Sequence, residues 1–322
     1  MEVHNFTTKI REAAAKVAAE SAQVRIDQDA IVKLARQLAE SGAPAAPADV
    51  FFFDGNGKTV LYHLLLAATD FCLWPSRYVV EFHGERSPAD DPSRGLALAW
   101  HRAFTVGAPV TDLNWLADLQ ETEFVAMLRP VEGELPLMQE RLMNVRDVAR
   151  RLRDDYGGAA ESLLDAGKHH AETLLNALHA FRGFRDEAEW RGTWVPYMAR
   201  AQRFLDRLAR AFQGRDFGRL EGIERLTAQA DDRLAQYLRH TGVLAYADDL
   251  AGRVGREEPL EANSEAEQSI RAATIVALGE LGRGMGFHGQ APTPRDLERR
   301  LRLEAVRLGG MAPSHRVITT AY

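Results

Sequence analysis

The stretch LTAQADDRLAQYLRHTGVLAYADDL, Leu226 to Leu250, decides how this chain is read. Ile223, Thr227, Ala230, Leu234, Tyr237 and Leu238 recur at helical spacing, so a helix is expected over 219–240 with these residues on its apolar face. Asp231 stands four residues after Thr227 and three before Leu234, which turns its carboxylate to the same inner face. Asp232 is rotated about 100° away. A lone buried carboxylate costs several kcal/mol or takes up a proton. Asp231 must therefore be bridged, to Arg233 or to a neighbouring helix, or face a wet cavity where its charge does chemistry.

Outward from that segment the periodicity is almost wholly helical from about residue 95. Further helices are expected over 95–106, 112–129, 136–155, 159–182, 194–213, 264–283 and 294–308. Asp112 and the pair Thr293-Pro294 read as helix starts, and Gly107 and Gly167 stand where helices stop. In the first third, 8–22 and 28–41 read as helices, the second capped by Asp27 and closed near Gly42. GAPAAPAD, 42–49, reads as a loop. LYHLLLAATDFCLW, Leu61 to Trp74, is an apolar helical segment with Asp70 embedded and Cys72 packed in it. Tyr78 to His83 alternates as a strand, and HGE turns into a second one. No fixed-period repeat and no heptad run is found. The expected fold is mainly α, a compact multi-helix arrangement, DNA-glycosylase-like, with a small β hairpin near residues 77–90. One domain over 1–322 is expected, since no convincing linker interrupts the chain.

Composition narrows the function classes. A formal net charge of −6 argues against a protein that coats a polyanion, which needs a net basic surface. A small anionic ligand is compatible with it. The single cysteine, Cys72, forms no internal disulfide and fits a reducing compartment. The N-terminus lacks an apolar core of signal-peptide type, and no run of about 18 apolar residues occurs. A cytoplasmic monomer that binds neither membrane nor nucleic acid is expected.

Several apparent motifs reduce to structure. FFFDGNGKT ends like a phosphate loop, but Phe52 stands where that loop needs glycine, so a turn at DGNG is expected. His169 and His170 are adjacent and point about 100° apart on a helix, so they cannot chelate one metal together. No HExxH or Cys/His cluster exists, and neither metal nor cofactor is expected. GRGMGFHG, 282–289, follows a helix rather than a strand and reads as a mobile loop.

Five blocks in order carry a resemblance. They are Asp70-Phe71-Cys72-Leu73-Trp74; Phe184-Arg185-Asp186 followed by RGTWVPYMARAQ with Arg200-Ala201-Gln202; Ala230-Asp231-Asp232-Arg233 with Gly242-Val243-Leu244 and Tyr246 to Leu250; Glu267 to Arg271; and Pro313, His315, Arg316 and Tyr322. In these the chain resembles the queuosine salvage protein family, the queuosine 5′-phosphate N-glycosylase/hydrolases, from about Tyr62 to Tyr322. The first sixty residues resemble it poorly. Four positions depart from the family pattern: Ala199 replaces a lysine, Asp70 an asparagine, and Gln229 and Asp232 replace aromatic residues.

The resemblance implies hydrolysis of queuosine 5′-monophosphate to queuine and ribose 5-phosphate. Glycosidic cleavage passes through an oxocarbenium-like state, which an ionised carboxylate near C1′ stabilises. Asp231 is the candidate catalytic residue: it stabilises the cation, attacks C1′, or serves as base for water, and the sequence leaves these roles open. Asp232 is its electrostatic neighbour. Candidate substrate contacts are Phe71, Trp74 and Tyr197 as walls for the flat base. Asp70 is a candidate acceptor for guanine-like N–H donors. Asp70, Asp248 and Glu298 are candidate partners for the cationic arm of queuine. Arg200, with Arg185, Arg271 and Arg316, is a candidate for the 5′-phosphate. Two rival classes share some of these features. A helical DNA glycosylase would need a basic face, and a helical adaptor would leave Asp231 unexplained.

Overall fold

The apolar run that begins before Leu61 is buried on every side, and its surroundings show why. In the computed structural model, which describes residues 4–46, 49–74 and 77–322, every residue from Thr59 to Thr69 is buried. A helix apolar all round is a core helix. In chain order the described residues form α1 (Phe6–Glu20), β1 (Val24–Ile26) and α2 (Gln28–Glu40). Next come α3 (Gly57–Thr69), the short strands β2 (Tyr78–Val79), β3 (Glu81–Phe82) and β4 (Glu85–Arg86), and α4 (Pro92–Thr105). Then follow α5 (Leu113–Asp118), α6 (Glu121–Met127), β5 (Glu132–Gly133), α7 (Met138–Asp155), α8 (Ala160–Ala166) and α9 (Ala171–His179). β6 (Glu187–Trp190), β7 (Thr193–Pro196), α10 (Ala199–Ala211), α11 (Asp232–His240), β8 (Leu244–Tyr246) and α12 (Asp248–Gly255) continue the chain. It finishes with β9 (Pro259–Leu260), α13 (Glu265–Gly286), α14 (Pro294–Leu308) and β10 (Arg316–Val317). The fold is mainly α, and its strands form only small two-stranded pairs.

The contacts gather into two units. The first comprises the described residues of Met1–Pro47, Glu187–Ala199 and Glu224–Thr319; the second those of Ala48–Asp186, Arg200–Ile223 and Thr320–Tyr322. In the first, α13 is the hub on which α1, α2, α11 and α14 pack. Ile270, Ala273, Ala277, Leu278 and Leu281 of α13 meet Ile31, Leu34, Leu238 and Leu301 in one apolar core. Each fully buried aliphatic side chain there contributes about 1.5–3 kcal/mol. In the second, α3 packs on α4, α7 and α8.

Local signals place many elements as expected. Asp27 caps α2 through the Ala30 N–H, and Thr293 with Pro294 opens α14 through a capping box with Asp296. The hairpin β3–β4 turns at His83 and Gly84, with φ of 50° and 80°, the left-handed pair that a two-residue turn favours.

Several expectations fail. The segment 194–213 opens in strand β7 and is helical only from Ala199, after Met198 at positive φ. The stretch 219–240 is not one helix. Ile223–Arg225 makes a single 3₁₀ turn, and α11 starts only at Asp232, because the Gln229 N–H is taken by Glu298 rather than by a helical carbonyl. The segment 112–129 breaks into α5 and α6 at Leu119, where the Gln120 N–H is accepted by Glu123 as a new helix opens. The segment 159–182 breaks at Gly167, and Lys168 and His169 adopt positive φ before α9. The glycine-rich run at 282–289 is helical through Gly286. A Cβ on Gly284 would lie 2.9 Å from the Ala35 Cβ, so this glycine lets α13 approach α2 closely. Finally, α3 ends at Asp70, which leaves Cys72 outside the helix at φ 43°. Of the loop read over 42–49, residues 47 and 48 lie outside the described residues.

Candidate active site

Asp231 is the N-cap of α11, a position one residue outside the helix whose face it was expected to share. Its Oδ1 accepts the Leu234 N–H at 3.1 Å. Its Oδ2 meets Arg302 Nη2 of α14 at 2.5 Å. The residue is 8% exposed, so the bridge to a neighbouring helix coexists with an opening to solvent. Glu298, one turn before Arg302, is 3% exposed and fully engaged. Its Oε1 accepts from Arg302 Nε and Nη2 at 3.1 and 3.0 Å, and its Oε2 accepts the Gln229 N–H at 2.7 Å and Arg295 Nη1 at 2.6 Å. Burial alone would lower the Arg302 pKa, but the Asp231 and Glu298 charges hold it above its ordinary value.

Asp232 opens the first turn of α11 and is hydrogen-bonded by Ser314 Oγ at 3.3 Å. Burial and then the neighbouring Asp231 charge push its pKa up, against Arg233 and Arg302. The Asp231 charge thus presses its neighbour toward holding a proton. His315 is buried beside them, and burial holds its pKa down to about 4 although Asp231 pulls the other way. Tyr197, 2% exposed, donates its hydroxyl to the Gln268 carbonyl at 3.2 Å, and the Arg271 guanidinium lies 3.7 Å from its ring centroid. Asp248 is exposed in the first turn of α12, where it complements the helix dipole.

Asp70, Phe71 and Arg200 are brought together in the second unit, at the C-terminal end of α3. Asp70 is fully buried, and its Oδ2 meets Arg203 Nη1 at 2.5 Å, Arg207 Nη2 at 2.7 Å and Ser93 Oγ at 3.0 Å. Burial opposes its charge, yet the two arginines hold its pKa below the usual carboxylate range. Its Oδ1 has no hydrogen-bond partner among the described residues.

Around Asp70 the last carbonyls of α3 are met by arginines. Arg200 Nη1 donates to Ala68 O at 2.8 Å and Arg203 Nη1 to Asp70 O at 3.0 Å. Arg141 donates to Thr69 O, and to Phe71 O and Cys72 O at 2.5 and 3.1 Å. The guanidiniums of Arg141 and Arg200 lie 4.3 and 4.7 Å from the Phe71 ring centroid. Burial lowers the Arg200 pKa to about 9, with Asp186 opposing. The Cys72 N–H donates to Tyr322 O at 2.7 Å, which ties the last residue of the chain to the end of α3. Trp74 is partly buried.

The sequence reading had not singled out Arg302, Arg141, Arg207 or His63. Arg203 with Arg207, and Glu298 with Arg302, are pairs four residues apart on one helix face. That spacing was the available signal. His63 is buried in α3, and neither ring nitrogen has a partner among the described residues.

The queuosine salvage protein family matches residues 51–299. A Sphaerobacter thermophilus protein named queuosine 5′-phosphate N-glycosylase/hydrolase is 34% identical over 95% of this chain and 95% of its own. The chain belongs to the queuosine salvage protein family. Proteins with the same name from Dictyostelium discoideum and Mus musculus are 27% and 26% identical, over 86% and 82% of this chain and 87% and 81% of theirs. Within the queuosine salvage match lie the buried aspartates Asp70 and Asp231, and Glu298 near its end; Arg302 lies just beyond it.

Proposed function

We propose that this protein hydrolyses the N-glycosidic bond of queuosine 5′-monophosphate, releasing queuine and ribose 5-phosphate. The relatives that cover most of the chain carry that activity in their names. The observation that carries the reading is Asp231, a buried carboxylate paired with Arg302 at a helix N-terminus. As the base departs, positive charge grows on the sugar carbon, and a fixed negative charge beside it lowers the barrier more than it favours the neutral substrate. Queuine is a 7-deazaguanine with a carbon at the ring position where purine leaving groups are usually protonated, so more of the work falls on the cation and on placing water. The Asp231 carboxylate stabilises that cation, attacks C1′ or receives a proton from water.

Asp232 supplies the paired carboxyl group. The substrate is the free nucleotide, which the net charge of −6 favours over a polynucleotide, and the protein acts as a cytoplasmic monomer. Incubation with queuosine 5′-monophosphate, free queuosine and GMP, with base release followed by chromatography, tests this. Release from the first is expected. No release from any of the three removes the hydrolase reading, and release from GMP alone removes the queuine assignment.

A further inference from the structure

The contact between Asp231 and α14 is built more elaborately than a bridge between two helices requires. Glu298 uses one oxygen to grip the Arg302 guanidinium through two N–H groups, at 3.1 and 3.0 Å. With its other oxygen it holds the main chain at Gln229, two residues before Asp231, at 2.7 Å. Arg295 meets that same oxygen at 2.6 Å and anchors Glu298 in turn. One acidic side chain thus fixes both the backbone leading into Asp231 and the cation that meets its carboxylate. The second carboxylate oxygen of Asp231 is fixed independently by the Leu234 N–H. Both oxygens are therefore aimed from two separate elements, which is the condition for holding a reacting group to within a fraction of an ångström.

We propose that Arg302, held in place by Glu298, is a positioning residue for the hydrolysis, fixing the Asp231 carboxylate against the N-terminus of α11 in the orientation that meets the sugar carbon. This rests on the catalytic role proposed for Asp231. Arg302 acts through Asp231, and it also decides which member of the carboxylate pair carries charge. The groups around the pair are Arg302 and Glu298 from α14, Arg233 from α11, Arg271 from α13, and Ser314 and His315 from the segment before β10. Arg302 forms an ion pair with Asp231, whereas burial and Asp231 itself press Asp232 toward its protonated form.

The test compares Arg302→Met, Arg302→Lys and Glu298→Gln by kcat, KM and the pH profile of kcat/KM on queuosine 5′-monophosphate, with thermal melts to follow folding. Arg302→Met removes the cation, so kcat is expected to fall about tenfold or more. The acid limb of the profile is expected to move up by about one to three pH units. KM is expected to stay within about threefold, because ground-state binding is left in place. Arg302→Lys keeps a charge but loses the planar fork, so the acid limb stays while kcat falls; it carries the test if the Met variant does not fold. Glu298→Gln is expected to lower kcat without moving the limb.

A second measurement separates this proposal from the reading beneath it. In an Asp231→Asn background, Arg302→Lys should have no further effect on residual turnover, because the group it acts through is gone. Additive losses overturn the proposal. So does an Arg302→Met or Arg302→Lys variant with unchanged kcat and acid limb, even when its stability falls. If Asp231→Asn alone keeps near-normal turnover, the catalytic assignment of Asp231 falls instead.

Discussion

Asp70 and Asp231 are buried aspartates at opposite ends of their helices, and the contrast shows what a helix end does to a carboxylate. Asp231 caps an N-terminus, where an N–H and the positive end of the dipole favour negative charge, and Arg302 meets its other oxygen from α14. Asp70 closes a C-terminus, where carbonyl oxygens oppose it. Two arginines and a serine hydroxyl hold its charge, while Arg141, Arg200 and Arg203 donate to the carbonyls from Ala68 to Cys72. Asp70, at the disfavoured end, is fully enclosed, whereas Asp231, at the favoured end, keeps 8% of its surface open.

Four measurements would break or sharpen that contrast. The largest effect is expected from Asp231→Asn, which keeps a helix cap but removes the charge. Turnover should fall about 10³-fold, with the folded far-UV circular dichroism spectrum retained. Near-normal turnover would move the catalytic role elsewhere. Asp70→Leu leaves Arg203 and Arg207 buried without their shared anion and should cost about 3 kcal/mol, read from urea midpoints. A loss below that of a typical surface substitution would show that the Asp70 shell is not a stabilising network.

The pH dependence of stability separates the two neighbourhoods further. Burial, reinforced by Arg207 and Arg210, lowers the His63 pKa to about 3. Burial lowers that of His315 to about 4, with Asp231 partly compensating. Both rings stay neutral in the fold but take up protons in the unfolded chain near pH 6.5. Their contribution is therefore complete above that pH and is lost as pH falls toward 3–4. Asp70, whose pKa is depressed, loses its contribution only below the unfolded value near 4. Between pH 6.5 and 5 the loss belongs to the histidines, and His63→Phe should recover about 2 kcal/mol at pH 5 relative to the parent protein. An unchanged slope would place the titration elsewhere. Asp232 has the opposite sign: its raised pKa makes its carboxyl stabilising at low pH, and this is lost as pH rises through the folded value. The smallest effect is expected from Thr293→Ala, which removes the cap of the helix carrying Glu298 and Arg302. It should cost about 1 kcal/mol in a thermal melt.

Much of the fold was legible along the chain because the signals are local. Asp27 before α2, Thr293-Pro294 before α14 and the HG turn of β3–β4 each depend on a few adjacent residues. The stretch 226–231 was misread for a related reason. Its apolar residues fit a helix, but hydrogen-bond competition from Glu298, sixty-nine residues along the chain from Gln229, takes the amide that a helix would need. An N-cap reading of Asp231 was available in the pattern Asp-Asp-Arg-Leu, in which an acid precedes an acid-started helix. Periodicity outweighed it. The five ordered blocks were enough to point to the family, because short motifs survive as sequence whether or not their contacts are known.

The sequence by itself determined the helical class, the caps at Asp27 and Thr293, the family and the inward placement of Asp70 and Asp231, all of which follow from neighbours within a few positions. Only the tertiary structure decided which cations meet those acids. Arg302 reaches Asp231 and Arg207 reaches Asp70 across 71 and 137 residues, respectively, of chain. No local rule selects such partners. They are chosen by how α13 and α3 pack their neighbours, and packing is a property of the whole folded chain.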